Sequence, residues 1–551
     1  MTKRFFKEHY LIAVSGLLLT LLIEAPLLAF PFVSKNYQDI NIPHFGTDSH
    51  FYLSRAQEAL ERNNLGNAFL REGKDNQDAY FVYNERALAL LPRVFGLADA
   101  VSAPTFYAIY NFAGVFALIL LIYFFTLQLA PGKLLAAVAA IFVVGGYHIA
   151  YKDFFYMDFN LYGRPIFPYL SSLALFLYLF FLVKSVNTDR VAYKISAGVL
   201  FGALFYVIFY GWTFVLALNG ALFLFYLFKK DFARLKMIAQ ISAIGVSLGL
   251  YNFVKMLRFA ASDIGSQSSY FNWAYHTHKP IFSKVTAAAL ALFLFFYYKK
   301  KRDPNLILIL GLISAFWIVL NQQIITGRVE QPAHYHWWFI VPLAIISALY
   351  MLWVLLEKYE WRRFLFGFIL FAVFAHSALG QYRSFWTTLP GKEYEQLYRP
   401  IIAELQKDPN SGVILAADDY LAYLFTIYTR HDLFWHTGAT ATVMPMSRFY
   451  DTLYVYAYLS KNPLADPSYK QIYQHIKGFE SGLDYYDYIS KATGVAEIIK
   501  PQIDANNLLK KYGVNYIVWD KNRNPEWDLS FIKNLRPVTS YNNIYLFQIM
   551  Y

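Results

Sequence analysis

Long apolar runs separated by short polar connections are the main pattern along the chain. Runs such as Tyr107–Leu129, Leu306–Leu320 and Phe339–Leu356 come close to the ~20 residues that a helix needs to cross a hydrocarbon core of ~30 Å. The pattern predicts a polytopic α-helical membrane protein with about eleven transmembrane helices. The predicted spans are 10–33, 106–130, 134–150, 165–183, 193–211, 213–228, 237–254, 283–298, 305–321, 337–356 and 364–380.

The first apolar run, Tyr10–Val33, follows Lys3, Arg4 and Lys7 and so imitates a signal peptide. It is too long for the apolar region of a signal peptide, and no small-residue cleavage site follows it. We therefore expect it to be retained as the first helix.

Composition supports a membrane protein. Of the 551 residues, 57% are hydrophobic and only 16% are charged, against about 25% charged residues in soluble proteins. There are no cysteines, which excludes disulfides and thiolate metal sites. The net charge of +12 does not indicate nucleic acid as a partner, because the inner loops of membrane proteins are basic for topological reasons.

The basic residues fix the predicted orientation. With the N-terminus in the cytoplasm, the short connections on that side carry most of the lysines and arginines, as the positive-inside rule requires. These connections hold Lys133; Lys184, Arg190 and Lys194; Lys229, Lys230, Arg234 and Lys236; Lys299, Lys300, Lys301 and Arg302; and Lys358, Arg362 and Arg363.

The same orientation places the longer and more varied segments outside. It predicts a transmembrane domain over residues 1–380 and an extracytoplasmic C-terminal domain over 381–551. The compact chain favours a bacterial inner (cytoplasmic) membrane, while the endoplasmic reticulum stays open. The outer loops are 34–105, 151–164, 255–282 and 322–336.

The tail is long enough to form a domain. Gly412–Ala416, Val514–Trp519 and Ile544–Ile549 are predicted strands, and helix-like segments accompany the first two. Strands that alternate with helices indicate a small α/β domain. Residues 440–500 have a mostly helical pattern.

The first candidate site residue is Asp48, in Gly46-Thr47-Asp48-Ser49-His50. It precedes a predicted helix, Ser49–Arg62, whose apolar side chains Phe51, Leu53, Ala56 and Leu60 are expected to lie on the membrane surface. A carboxylate at such a place can be a general base, because low polarity raises its pKa. The alternative is an N-cap, for which Asp and Ser are preferred; the two roles are compatible. His50 joins the candidates as a substrate-binding residue.

The second cluster is the loop from Lys152 to Arg164, which includes Asp153 and Asp158 among aromatic residues. The two acids suit a divalent cation or a sugar, and the planar fork of Arg164 suits a phosphate. The alternative is an aromatic belt with snorkelling charges.

The third cluster, Asn321–His336, includes Arg328, Glu330, His334 and His336 just before a helix. Amides, Arg and His are suited to a phosphate and to sugar hydroxyls. A purely structural polar loop is the alternative. Zinc is not expected, because no third ligand accompanies the two histidines.

Two further acidic sites have plainer interpretations. Glu24 lies inside the first helix and should face the interior of the helix bundle, where it pairs with a polar neighbour or contributes to a proton path. Asp418-Asp419 follows the first tail strand and is interpreted as a strand-end turn.

With these pieces placed, the chain resembles the GT-C superfamily of integral-membrane glycosyltransferases, which use polyprenyl-phosphate-linked sugars and include oligosaccharyltransferases and protein O-mannosyltransferases. The resemblance rests on Asp48 in the first outer loop, on acids in the second, on polar residues before a late helix, and on the outer α/β domain with its segment Lys511–Trp519. It implies that Asp48 is the catalytic base and that Asp153 and Asp158 bind a metal, Mg²⁺ or Mn²⁺, or the acceptor.

Two departures from the family patterns limit this resemblance. The tail has no Trp-Trp-Asp motif, so en bloc transfer to asparagine is not expected. The spacing of Asp153 and Asp158 is not a strict DxD, which leaves the metal open.

Two functional hypotheses follow. In the first, the protein moves a sugar from a polyprenyl-phosphate donor to a hydroxyl of a glycan, lipid or protein acceptor on the outer face, and Lys152, Arg164 and Arg328 stabilise the departing phosphate. In the second, it is a non-catalytic transporter or flippase of lipid-linked glycans. Flippases tend to place ionisable residues at mid-membrane and to show repeats, whereas here only Glu24 is deep and no repeat is visible.

Overall fold

The computed structural model describes the chain apart from residues 1, 43–45, 99–100, 266–273, 443, 482–496, 498 and 500–502, and it describes only the backbone of residues 2–7, 46–48, 274–276, 419 and 441. The described part is mostly helical, with a small sheet near the C-terminal end.

Helices make up most of the N-terminal two thirds of the described chain. In chain order they are α1 Thr2–Val33, α2 Gly46–Leu60, α3 Asn84–Val94, α4 Ala103–Leu129, α5 Lys133–Gly145, α6 Tyr147–Tyr151, α7 Tyr169–Thr188, α8 Val191–Val207, α9 Phe209–Phe228, α10 Phe232–Ala260, α11 Lys284–Lys299, α12 Leu306–Asn321, α13 Gln323–Thr326, α14 Pro332–Tyr335, α15 Val341–Leu355 and α16 Arg362–Glu395. A π-helical turn, His336–Ile340, joins α14 to α15.

Eight helices of the described chain are long and apolar enough to cross a membrane, which together with the fold makes this an integral membrane protein. The other three predicted spans coincide with the shorter helices α5, α8 and α11. The interior position predicted for Glu24 is confirmed: it is buried, and Asn111 Nδ2 donates to its Oε1 at 2.6 Å.

The membrane-surface role predicted for the helix after Asp48 is wrong. In α2 the side chains of Leu53, Ala56 and Leu60 are buried by protein. The helix packs between α3, α4 and a helix of the tail, because the tail domain covers the face that local sequence would leave to lipid.

The tail holds a five-stranded mixed sheet. Its strands are β3 Val413–Ala416, β4 Asp432–Leu433, β5 Val514–Asp520, β6 Leu535–Tyr541 and β7 Ile544–Ile549, in the order β4-β3-β5-β7-β6. Strand β3 pairs in parallel with β4 and β5, and β7 pairs antiparallel with β5 and β6. The tail helices are α17 Arg399–Leu405, α18 Asp419–Tyr428, α19 Met446–Leu459, α20 Pro467–Glu480 and α21 Ala505–Lys511.

The three predicted strands are β3, β5 and β7, so the small sheet is confirmed. The sequence missed β4, which has two residues, and β6, whose side chains are mostly exposed and which contains Pro537, as an edge strand allows. Asp418 caps α18 by accepting from Leu421 N at 3.0 Å, which confirms the turn interpretation. The domain division at 380/381 stays a prediction; α16 runs through it.

The first outer loop folds onto the tail. Leu433 N donates to Phe69 O at 2.7 Å, and Ser54 and Thr426 share a hydrogen bond of 2.8 Å across 372 residues of sequence. Within the loop the buried Arg55 forms ion pairs with Asp78 and Glu85 at 2.8 and 2.6 Å. The loop is thus a folded layer between the helices and the sheet. A short two-stranded sheet, β1 Ala274–His276 with β2 Arg328–Glu330, joins two other outer segments.

Candidate functional site

Asp48 lies in the first turn of α2, two residues after the helix begins at Gly46. This backbone position is inside the helix rather than at the N-cap of the alternative interpretation. The carboxylate itself lies outside the described residues. Its role as the base therefore stays a prediction.

His50, one half-turn further along α2, is buried against the tail. Its ring stacks on Tyr423 of α18 with the planes 11° apart. The ring of Tyr420 stands edge-on to it, with the two ring centres 4.9 Å apart. Burial lowers the pKa of His50 well below its ordinary value, and the nearby His436 and Lys392 lower it further. His50 is therefore a neutral imidazole at physiological pH, with one donor and one acceptor nitrogen.

The tail adds polar residues next to this helix start that the sequence analysis missed. Lys392 is buried and paired with Glu395 at 2.8 Å, and Tyr423 Oη donates to the same carboxylate at 3.0 Å. Burial lowers the pKa of His436 to about 3, and its ring stacks on Phe69. No local motif marks these residues, because only the fold brings them beside α2.

The acids of the second outer loop mainly shape that loop. Asp153 Oδ1 accepts from the backbone N–H groups of Phe155 and Tyr156 at 2.8 and 3.0 Å. Asp158 accepts from Phe159 N at 2.7 Å and from Tyr156 Oη at 3.1 Å. Both side chains are exposed.

This loop contacts α16 through a hydrogen bond of 3.1 Å between His376 Nε2 and Tyr156 O. Asp158 and His376 both lie within electrostatic range of the buried His148. Asp158 is therefore near the side of the loop that packs on α16. The ammonium of Lys152 lies 4.9 Å from the ring centre of Tyr151.

A metal finds little support among the residues described. Within the described ranges no group of three or more His, Asp or Glu side chains is placed to hold an ion. Mg²⁺ and Mn²⁺ require several oxygen ligands, whereas Asp153 and Asp158 accept hydrogen bonds from their own loop. Metal binding by Asp153 and Asp158 therefore stays a prediction.

Arg164 is the buried cation of the second loop, with 5% of its surface exposed. Burial lowers its pKa to about 10, so the guanidinium is still charged at neutral pH. It lies within electrostatic range of His334. The structure thus brings together one candidate from the second loop and one from the third.

The third cluster divides between an outer hairpin and the start of a helix. Arg328 and Glu330 form an ion pair of 2.9 Å on β2, and both are partly exposed. His334 lies in α14 against the rings of Trp338 and Tyr210, with ring centres 4.3 and 5.0 Å from its own. His336 Nε2 and Ser283 Oγ are 2.8 Å apart.

A continuous row of aromatic rings joins the three outer segments. Tyr52 of α2 contacts Phe167, which stacks on Trp338 with the planes 5° apart, and Trp338 contacts His334. Tyr210, at the start of α9, also contacts His334, and its hydroxyl donates to Gln331 Oε1 at 3.2 Å. The row joins α2 to the late polar segment. Its members Tyr52, Phe167 and Tyr210 were not predicted from the sequence.

Several buried polar atoms in this region have no hydrogen-bond partner among the described residues. They are Nδ1 of His334, Nδ1 of His336, and Nε1 of Trp337 and Trp338. Native proteins pair nearly all buried polar atoms, so these four atoms are available to water or to a bound polar ligand. A phosphate or a sugar, held beside the charged Arg164, has the complementary acceptors and donors.

We compared the chain with known proteins. No family model matches the sequence, and no curated protein is similar to it. The structure is similar to that of ArnT from Cupriavidus metallidurans bound to undecaprenyl phosphate, with a TM-score of 0.52, 12% identity, and coverage of 96% of this chain and 97% of ArnT. The Archaeoglobus fulgidus oligosaccharyltransferase AglB, in complex with an inhibitory peptide and a dolichol-phosphate, aligns with a TM-score of 0.47 at 13% identity over 98% of this chain and 74% of AglB.

The likeness to ArnT extends over nearly the whole of both chains. Its low identity makes it evidence for fold. The chain therefore shares its overall fold with ArnT.

Proposed function

We propose that the protein is a membrane glycosyltransferase that moves a sugar from a polyprenyl-phosphate donor to an acceptor hydroxyl on the outer face of the membrane. The observation that carries the proposal is the buried cation Arg164 near His334. Nδ1 of His334 and Nε1 of the adjoining Trp338 have no hydrogen-bond partner among the described residues. A phosphate at the head of a lipid needs such an arrangement: a desolvated charge, hydrogen-bond partners, and aromatic surface for the first isoprene units.

In this mechanism the carboxylate of Asp48 takes the proton of the acceptor hydroxyl as its oxygen attacks the anomeric carbon. The bond between that carbon and the phosphate oxygen breaks, and the electron pair leaves with polyprenyl phosphate. Arg164 lies beside His334, where a fixed cation would stabilise the charge that develops on the leaving phosphate. Attack opposite to the leaving group inverts the anomeric configuration.

Lys152 and Arg328 would lie at the periphery of the same site. Lys152 lies over Tyr151, whose ring contacts His336 and Trp337 at 5.5 and 5.8 Å, and Arg328 precedes the buried segment by a few residues. His50 and Glu330 are proposed to contact the acceptor or the sugar. The acceptor class — glycan, lipid or protein — and the sugar are for the assay to identify.

The experiment that tests the reaction compares wild type with Asp48→Asn in proteoliposomes. A radiolabelled sugar on undecaprenyl phosphate is supplied together with an extract of envelope glycans, lipids and proteins. Wild type should release free undecaprenyl phosphate and label an acceptor, whereas Asp48→Asn should do neither and should keep the wild-type thermal stability. Asp39→Asn, an exposed position of the same loop with φ of 64° that Asn tolerates, is the matched control and should be fully active.

Full activity of Asp48→Asn would remove Asp48 as the base. If wild type moved the labelled lipid across the bilayer without releasing undecaprenyl phosphate, the protein would be a flippase and the proposal would fail.

We further propose that all eleven helices cross the membrane of a bacterial cell, with the N-terminus in the cytoplasm and the tail outside. The absence of cysteine makes single-cysteine labelling direct. In intact spheroplasts a membrane-impermeant maleimide should label Val538→Cys in the tail at once, and Lys300→Cys only after permeabilisation. The reverse pattern would invert the topology.

A further inference from the structure

An open cavity of about 810 Å³ lies between the first outer loop and the tail, at the C-terminal end of α2. Leu60 lines it, twelve residues after Asp48 in the same helix. At 1.5 Å per residue this separates the two positions by roughly 18 Å. The cavity is therefore a place distinct from the proposed catalytic site.

Cations dominate the lining of this cavity. Five basic side chains contribute to it: Arg62, Arg71, Lys74, Arg93 and Arg430. The three carboxylates of the lining already have partners in the protein. Asp432 pairs with Lys74 and Arg71, Asp75 accepts from Asn64 Nδ2 at 2.8 Å, and Glu61 accepts from Gln57 Nε2 at 2.8 Å.

Arg62 and Arg93 stand close to each other without a carboxylate between them. Among the described residues neither forms an ion pair; Arg93 donates instead to the backbone carbonyls of Ala59 and Leu60. Burial lowers the pKa of Arg93, and the neighbouring Arg62 and Arg86 lower it further. Like charges gathered in this way are stabilised by an anion, and guanidinium groups match a phosphate through paired N–H donors.

Helix α3 lies beside the cavity, with an uncovered apolar face. Leu90, Leu91 and Val94 recur at helical spacing and are 60%, 54% and 70% exposed. Phe95 and Leu97 continue this surface, at 67% and 44%, and Gly96 and Ala98 of the same segment line the cavity.

The contacts of α3 place it across the outer ends of the membrane helices. Tyr110 Oη, near the start of α4, donates to Leu88 O at 2.9 Å, and Asn84 Nδ2 donates to Val207 O at the end of α8 at 2.8 Å. A short helix that crosses the ends of spanning helices with an apolar face outward is placed to lie in the interface of the bilayer. Basic residues flank that face, which favours a lipid surface as its partner.

We propose that this cavity binds the phosphate-bearing headgroup of an anionic membrane lipid, whose acyl chains lie against the apolar face of α3. Basic residues next to an interfacial helix attract anionic lipids, and the cavity supplies a defined pocket for one headgroup. The lipid would hold the first outer loop at the membrane while the same loop packs on the tail. The inference needs the outer segments to be at the bilayer surface and does not depend on sugar transfer.

The binding test uses the full chain in detergent and native mass spectrometry with phosphatidylglycerol and phosphatidylcholine as probes. Wild type should retain phosphatidylglycerol in preference to phosphatidylcholine. Arg62→Glu should weaken phosphatidylglycerol retention roughly tenfold, and Arg536→Glu, an exposed charge reversal on β6 of the tail, should leave it unchanged. The inactive Asp48→Asn variant should bind the lipid like wild type, which separates this inference from the proposed reaction.

Three results would overturn the proposal: equal retention of the two lipids, undiminished retention by Arg62→Glu, or binding of soluble glycerol phosphate as strong as that of the lipid. The last would indicate a site for a free anion.

A second measurement tests the position of α3 without reference to the cavity. A spin label on Val94→Cys in vesicles that contain phosphatidylglycerol should be accessible to oxygen and shielded from a nickel chelate, as a label within the bilayer is. The same label on Val538→Cys in the tail should show the opposite. A label at position 94 that is as accessible to the nickel chelate as the one at position 538 would refute the membrane contact.

Discussion

Arg164 shows how burial and charge combine at a single residue. Its side chain is 5% exposed, yet burial brings its pKa only to about 10, so the cation persists in a region of low polarity. Electrostatic interactions are stronger there than in water. His334 and the unpartnered ring nitrogens beside it share this region. A leaving phosphate would find its counter-charge already in place.

Replacement of Arg164 tests this arrangement. Arg164→Met keeps a similar volume and removes the charge, so we expect transfer to fall roughly 10²–10³-fold, the usual cost of removing one group that stabilises a transition-state charge. Arg164→Lys keeps the charge but not the paired donors, so its transfer rate should lie between those of wild type and Arg164→Met. Rates come from release of undecaprenyl phosphate, with thermal unfolding to confirm the fold. Wild-type rates in Arg164→Met would show that this cation does not face the donor.

At the scale of elements, the pair α8 and α10 shows how two helices approach closely. Gly198 and Gly202 recur four residues apart on α8, and Gly245 and Gly249 do so on α10. A Cβ added at Gly202 would lie 2.6 Å from Leu248 Cβ, and one at Gly198 would lie 2.7 Å from Ile244 Cβ. Small residues with this spacing let backbones pack where the hydrophobic effect does not drive association.

A larger side chain at this contact should therefore destabilise the membrane domain. We expect Gly202→Leu to lower stability by about 1–3 kcal/mol, the usual cost of overpacking, seen as a lower unfolding temperature in detergent. Gly220→Leu in α9 is the control, since a Cβ there meets nothing within 4 Å. Equal melting temperatures for the two variants would argue against the close contact.

Helices α2 and α3 show why an amphipathic pattern does not reveal whether lipid or protein covers the apolar face. The sequence pattern of α2 suggested a membrane-facing surface, yet Leu53 and Ala56 are fully buried by protein, while Leu90 and Val94 of α3 are the exposed ones. An apolar face is buried equally well by lipid or by protein. Which of the two covers it depends on the position of the tail.

At the scale of the whole molecule, a buried ionic network fastens the first outer loop to the tail. Lys74 Nζ lies 2.7 Å from Glu58 Oε1 and 2.5 Å from Asp432 Oδ1, and Arg71 reaches the same aspartate at 3.2 Å. Burial raises the pKa of Glu58 to about 7, against the opposing effect of Lys74. The network thus makes the packing of loop and tail sensitive to pH.

The sign of that sensitivity follows from proton linkage. Glu58 has an ordinary pKa of 4.5 and a folded-state pKa of about 7, so between these values the folded state binds more protons than the unfolded chain. Its contribution to stability is fully present below pH 4.5 and is lost as the pH rises through 7. Glu58→Gln cannot ionise, so its melting temperature relative to wild type should rise over this range.

The measurement is thermal unfolding of wild type and Glu58→Gln from pH 4.5 to 8, with Glu526→Gln at an exposed tail position as control. A difference between Glu58→Gln and wild type that stays constant over the range would contradict the raised pKa.

Local sequence predicts the membrane helices, because an apolar run long enough to cross a bilayer is stable there as a helix, in which the backbone groups bond one another. It also determined three strands of the tail, β3, β5 and β7, from their buried apolar character, and the interior position of Glu24. These properties are local: each depends on the residues of one segment. Asp48, Arg164 and His334 were candidates for the same reason, as polar residues at the ends of such segments.

The contacts between distant segments depend on the tertiary structure. It placed Arg164 near His334, turned Asp153 and Asp158 toward their own loop, and added Lys392, Tyr423 and His436 from the tail. It also left the apolar residues Leu90 and Val94 of α3 exposed and buried Leu53 and Ala56 of α2. These outcomes depend on contacts between residues hundreds of positions apart, whose energies no local pattern contains.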